Sequence, residues 1–239
     1  MPKIDKTQYS KEEFRKLKRI EQNQKQQKSL QKSKEKQRIV IPPQSSSTAF
    51  VIGNGTSRKY IPIESLAKFG KIYGCNALYR EYSPDYLIAV DTKMILEINS
   101  NHYQKTNQVW TNYNRAYDKL QDFNFFKPSK GWSSGPTALW FAAQHGYKTI
   151  YILGFDYKGL DAGKKFNNIY ADTMNYKRST DGATFHGNWL RQTQQVIDQN
   201  PKINFIRVVD QFTYMPPELK NFTNLQNMQK EQFCHIHSL

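Results

Sequence analysis

From Ala49 onward the chain is written in short apolar runs, several of which lack polar alternation, each followed by a longer, more polar or amphipathic stretch. The runs are AFVIG (49–53), KIYGCN (71–76), YLIAVD (86–91), VWTNY (109–113), TIYILGFD (149–156) and INFIRVV (203–209). A strand with one wet face alternates apolar and polar side chains, whereas a strand covered on both faces does not. Spaced in this way, such strands predict an α/β fold: an open, mostly parallel sheet with helices on both faces. Two helices stand out between them. PTALWFAAQHG (136–146) has proline for its first turn, an apolar face from Ala138, Leu139, Ala142 and Ala143, and Gly146 for its C-terminal cap. A second is expected over 188–199, with Trp189, Thr193, Val196 and Ile197 on one face.

The 239 residues suffice for one α/β domain and an appendage. Charge marks the appendage. Residues 1–40 hold 13 Lys/Arg against 5 Asp/Glu, a surplus of eight within a net charge of +15. Its apolar stripe, Phe14, Leu17 and Ile20, fades after Leu30, so residues 1–48 are expected to form a basic helical or extended arm ending in a Pro/Ser linker. The α/β domain is expected over 49–215 and a C-terminal tail over 216–239. Such an arm attracts nucleic acid, an anionic membrane or an acidic protein surface. Two cysteines, Cys75 and Cys234, are too few for a disulfide framework and suit a reducing cytoplasm. No window approaches the roughly 18 apolar residues of a membrane span, and the lysine-rich start has no apolar signal region, so a cytoplasmic location is expected.

In an open parallel sheet the ligand crevice lies outside the carboxyl ends of the strands. Four runs end in small or polar residues: GNGTS (53–57), Cys75-Asn76, Asp91, and GFDY (154–157). Gly53 and Gly55 would let the backbone approach an anion, with Asn54 and Ser57 adding side-chain hydrogen bonds; a tight turn without a ligand explains the same glycines equally well. Ser133, Ser134 and Gly135 precede a helix, where free backbone N–H groups and hydroxyls suit a phosphate or carboxylate, or plain helix capping.

IGNGTS, CN some twenty residues later, SSG opening an alanine-rich helix, and GYKTIYILGFDY resemble, in order and spacing, the small bacterial sialyltransferases with a Rossmann-like fold. They are similar too to the glycosyltransferase-like proteins of flagellin modification and to proteins of marine bacteriophages, over about 49–209. The resemblance implies a Rossmann-like sheet and a CMP-activated sugar donor, with no metal cofactor. It places Asn54, Gly55 and Ser57 on the nucleotide, Asn76 on the donor, Ser134 and Gly135 on the nucleotide part, and only loosely Asn112 at a later strand end. Tyr157 and Tyr170 would assist the departing phosphate, and His186, in TFHGNWLRQ, would be the general base.

General chemistry agrees, since a histidine of ordinary pKa near 6.5 suits proton removal from an acceptor hydroxyl. Asp91 and Asp156 stand at strand ends where a Mg²⁺ would sit, but they form no DxD pair and equally suit turn capping. CHIHS (234–238) places three potential ligands too close together for a tetrahedral site, and a frayed terminus is expected there. The resemblance implies no counterpart here of the family's longer C-terminal region; residues 159–184 are polar enough to be expected in its place as a lid, with Lys164, Lys165, Lys177 and Arg178 available to phosphates. The functional expectation is therefore a nucleotide-sugar-binding glycosyltransferase-like protein, with a donor cradle of Gly53, Asn54, Gly55, Ser57, Asn76, Ser133, Ser134, Gly135 and Asp156. The alternative is a non-catalytic virion or nucleoprotein component, in a host cytoplasm or phage particle, whose arm (1–40) binds a phage structural protein or nucleic acid within an oligomer or larger assembly.

Overall fold

The computed structural model describes residues 47–239 apart from Asp118. The expected arm and linker, but for their last two residues, lie outside the described residues. Eight parallel strands form one sheet in the order β5-β4-β3-β2-β1-β6-β7-β8, an open α/β Rossmann-like fold. The six anticipated runs are β1 (Thr48–Ile52), β2 (Lys71–Cys75), β3 (Tyr86–Ile88), β4 (Val109–Asn112), β6 (Thr149–Leu153) and β7 (Asn204–Val209). Sequence reading missed β5 (Asn124–Phe126) and β8 (Leu225–Gln229). β5 is three residues long. The side chains of β8, LQNMQ, are mostly exposed on a sheet edge, so the strand carries no apolar run.

Both faces of the sheet are buried, which accounts for the missing polar alternation. On one face Phe50 and Ile52 of β1, Ile72 of β2 and Leu153 of β6 meet Leu66 from the segment after β1 and Phe233 near the C-terminus. Farther along that face, Leu87 of β3 and Val109 of β4 are covered by α1 (Thr92–Ser100) through Met94, Ile95 and Ile98. The other face carries α2 (Ser134–Gln144), whose Phe141 ring lies 4.6 Å from Trp110, 5.1 Å from Phe126 and 5.5 Å from Tyr86. Gly146, just past α2, has φ +76, the left-handed conformation that glycine adopts at least cost. The second anticipated helix is α3 (Gly187–Gln199).

Residues 216–239 are not a tail. They supply β8, which extends the sheet beyond β7, and α4 (Lys230–Ile236), whose Phe233 is fully buried. His237, expected in a frayed end, is 5% exposed and its ring lies 4.4 Å from that of Phe233. An intervening polar strand hides this anchoring from a reading of local pattern.

Candidate functional site

Strand order reverses between β1 and β6, and a cleft of about 500 Å³ opens at their carboxyl ends. The residues immediately after both strands are pressed together. The Gly53 N–H donates to the Leu153 carbonyl at 2.8 Å and the Gly55 N–H to the Gly154 carbonyl at 2.9 Å. A Cβ on Gly55 would lie 2.5 Å from the Asp156 carboxylate and 2.7 Å from the Gly154 carbonyl; one on Gly53 would lie 2.6 Å from that carbonyl. The glycines thus serve the approach of two loops. Most of the N–H groups they free are used within the protein: Thr56 donates to Asn167 Oδ1 at 2.9 Å, and Ser57 donates to Asp156 from its backbone at 3.1 Å and from its hydroxyl. Ser57 accordingly sits behind the cleft wall, whereas Gly53, Asn54, Gly55 and Asp156 are on it.

The N-terminus of α2 opens into the same cleft, which Ser133, Ser134 and Gly135 line. The Ser134 hydroxyl accepts from the Val90 N–H at 3.1 Å and donates to Asn76 Oδ1 at 2.8 Å, stitching together the ends of β2 and β3 and the helix start. Asn76 has φ +51, a conformation asparagine tolerates better than most residues, and it too lines the cleft. The Ser133 side chain makes no capping bond to α2. Its first-turn N–H groups have no partner inside the helix and carry the positive end of its dipole.

Residues 158–186 return over the rim and are tied down along their length. Asn167 bonds Thr56 and, through Nδ2, the Lys158 carbonyl at 2.9 Å; the Ile169 N–H reaches the Asn54 carbonyl at 2.8 Å. Farther on, Asn175 donates to Glu97 at 2.6 Å, the same carboxylate that pairs with Arg80. This segment forms a fixed cover, with Asn167, Asn168, Tyr176, Lys177 and Thr184 facing the cleft. Of its four anticipated cations, Lys177 lines the cleft; Lys164, Lys165 and Arg178 do not, and Lys165 pairs weakly with Asp161 at 4.0 Å.

The anticipated tyrosines are engaged elsewhere. Tyr157 borders the cleft in a left-handed turn (φ +54), but its hydroxyl donates to Thr193 of α3 at 2.9 Å, and burial pushes it up to about 12. Tyr170 is off the cleft, donating to Glu81 and accepting from Arg58 at 3.0 Å, with burial raising its pKa. His186, the residue before α3, is on the cleft wall and half-buried; its ring is 6.2 Å from Phe185 and 6.3 Å from Tyr214. Asn112 is occupied outside the cleft, accepting from the Lys130 N–H at 3.2 Å.

One buried polar atom of a cleft-lining residue has no hydrogen-bond partner among the described residues. Asn54 is 9% exposed; its Nδ2 donates to the Cys75 carbonyl at 3.2 Å and the Tyr176 hydroxyl at 3.3 Å, while Oδ1 is buried and unbonded. Turning the amide over would set Oδ1 against the Cys75 carbonyl, so the orphan atom is fixed as an acceptor. Cys75 itself is inert, since burial pushes its thiol up to about 12. Asp91 is accessible from the cleft mouth, yet enough protein surrounds its carboxyl to raise it above the usual carboxylate range. Lys158 stands at the rim with its ammonium 4.9 Å from the Tyr214 ring.

The expected lid over 159–184 contains Asn167 and Tyr176, but sequence reading singled out only its cations and Tyr170, and Lys158 just before it was missed. Only the return of the long polar segment across the rim brings these residues to the cleft. Among the described residues no group of three or more His, Cys, Asp or Glu side chains is placed to hold a metal ion, and no helix is long and apolar enough to cross a membrane. No family model, no curated protein and no solved structure matches this chain.

Proposed function

We propose that the cleft binds a nucleotide and that the protein is a nucleotide-sugar-binding, glycosyltransferase-like protein with a CMP-type donor. The observation that carries this reading is the meeting, in one switch-point cleft, of a helix N-terminus without a capping bond from Ser133 with a buried acceptor that has no partner among the described residues. The first favours an anionic group; the second would be met by a ligand N–H or O–H, since leaving such an atom unpaired costs about 1–3 kcal/mol. A nucleotide presents both, in its phosphate and in its ribose hydroxyls or exocyclic amine. The cleft's volume of about 500 Å³ is in the range of small-molecule sites.

In the transfer step the acceptor hydroxyl gives its proton to the His186 imidazole as its oxygen bonds to the anomeric carbon. The bond from that carbon to the phosphate oxygen breaks, and its electron pair leaves with the nucleoside monophosphate. The N–H groups of α2 and the ammonium groups of Lys158 and Lys177 meet the growing phosphate charge. Tyr157 acts as a support in this scheme, since its hydroxyl is held by Thr193.

Calorimetric titration of the full chain with CMP, UDP and GDP tests the reading. Saturable CMP binding is expected, weakened about tenfold in Asn54→Ala. A folded chain that binds none of the three overturns it and leaves the assembly role as the reading to pursue.

A further inference from the structure

Two large aromatic side chains flank His186, which lines the cleft: Phe185 is exposed and Tyr214 is half-buried. Phe185 is 74% exposed, yet its ring is seated: a Cβ on Gly187 would lie 2.4 Å from it, so the glycine opens the space over which the ring lies. The ring is near-parallel to the His186 imidazole, at 27°. On the other side Tyr214 meets the imidazole edge-on at 66°, and the Lys158 ammonium lies over the Tyr214 ring.

The turn that presents Tyr214 is built to hold its shape. Asp210 Oδ1 accepts from the Phe212 N–H at 3.0 Å and the Thr213 hydroxyl at 2.8 Å, and the Asp210 N–H returns to the Thr213 hydroxyl at 3.0 Å. Arg207, 2% exposed, then grips the Tyr214 carbonyl at 2.9 Å and the Phe155 carbonyl at 2.8 and 3.0 Å, joining this turn to the cleft floor. The turn leaves Phe212 84% and Met215 43% exposed.

We infer that Phe185 and Tyr214 form the acceptor subsite and that its ligand is a neutral sugar, one C–H face stacked on the rings and one hydroxyl directed at His186. This rests on the glycosyltransferase-like reading and names the substrate class of that same site. The surroundings select the class. A wholly apolar occupant would desolvate the Lys158 ammonium and the imidazole without compensation, whereas a sugar brings hydroxyls to both along with an apolar face. A peptide that binds by strand addition needs a sheet edge, and here the edges are β5 and β8, at the two ends of the sheet, while this mouth lies at its centre.

Saturation-transfer NMR of the full chain with maltose, cellobiose and lactose, and separately with an unstructured Ser/Thr peptide, tests the assignment, alongside CMP titration of the same samples. Transfer to the ring C–H protons of at least one sugar is expected, and Phe185→Ala/Tyr214→Ala should weaken that sugar about tenfold while leaving CMP affinity unchanged. CMP binding with no sugar transfer overturns the subsite and spares the nucleotide reading. Sugar transfer lost in the double variant, in a chain that binds no nucleotide, keeps the subsite and overturns the reading. Sugar transfer that survives the double variant overturns the assignment to these rings, and transfer to the peptide alone overturns the sugar.

Discussion

His145 closes the C-terminal end of α2 inside a box of aromatic rings, with Tyr86 stacked at 5.2 Å, Phe141 at 4.5 Å and the Tyr73 hydroxyl on its Nδ1. It is 7% exposed, and burial pushes its pKa down to about 4. A histidine held neutral in the fold binds its proton more readily in the unfolded chain, near pH 6.5. Stability therefore begins to fall as pH drops through about 6.5 and levels off below about 4. Linkage between those two values gives a loss of about 2 kcal/mol between pH 7.5 and pH 5.0 and a ceiling of about 3 kcal/mol. Urea unfolding followed by tryptophan fluorescence at half-unit steps measures this loss, and His145→Gln supplies the reference. The variant should be less stable at pH 7.5, having lost a fitted ring, but its stability should fall by about 2 kcal/mol less over the same pH interval. Parallel curves for the two proteins would show that the box tolerates imidazolium and would refute the argument.

Two further perturbations probe the framework. Gly55→Ala forces a methyl to within 2.5 Å of the Asp156 carboxylate and should cost about 2–3 kcal/mol and abolish CMP binding, whereas Gly182→Ala, with nothing within 4 Å of the new methyl, should stay within about 0.5 kcal/mol of wild type; thermal melts of both decide this. Phe233→Ala should cost about 3–4 kcal/mol by urea unfolding because the ring is fully buried against Phe50 and Tyr151, an outcome no frayed terminus would give.

The fold was legible because burial on both faces writes itself into composition: AFVI has no polar position, and TIYIL has only Thr149 at its start. The polar edge strand LQNMQ and the short β5 carry no such mark, and α1 follows Asp91 without a capping bond from its side chain. At the site, the glycines and the SSG helix start were readable as a crevice, since a strand end followed by small residues has few uses. What local pattern could not supply was the partner of each group. Ser57 has the chemistry of a phosphate ligand, and only the approach of GFDY shows that its hydroxyl is taken by Asp156. Tyr157 likewise points at Thr193, a residue 36 positions away. The aromatic pair at the mouth was invisible for the same reason, with Phe185 and Tyr214 belonging to loops that meet only around His186.

The central pairing of β1 with β6 joins residues about one hundred positions apart, Thr48 with Thr149, and every neighbouring pairing on the β2 side is more local. Contacts of such separation carry the largest chain-closure cost and are slow to form. At synthesis rates of about 5–20 residues per second, the Gly53–Gly55 loop waits on the order of ten seconds for the strand that completes it. Until then the apolar β1 edge that will bound the cleft is open to any other extended chain, so the floor of the binding site is also where a nascent chain is most exposed to mispairing.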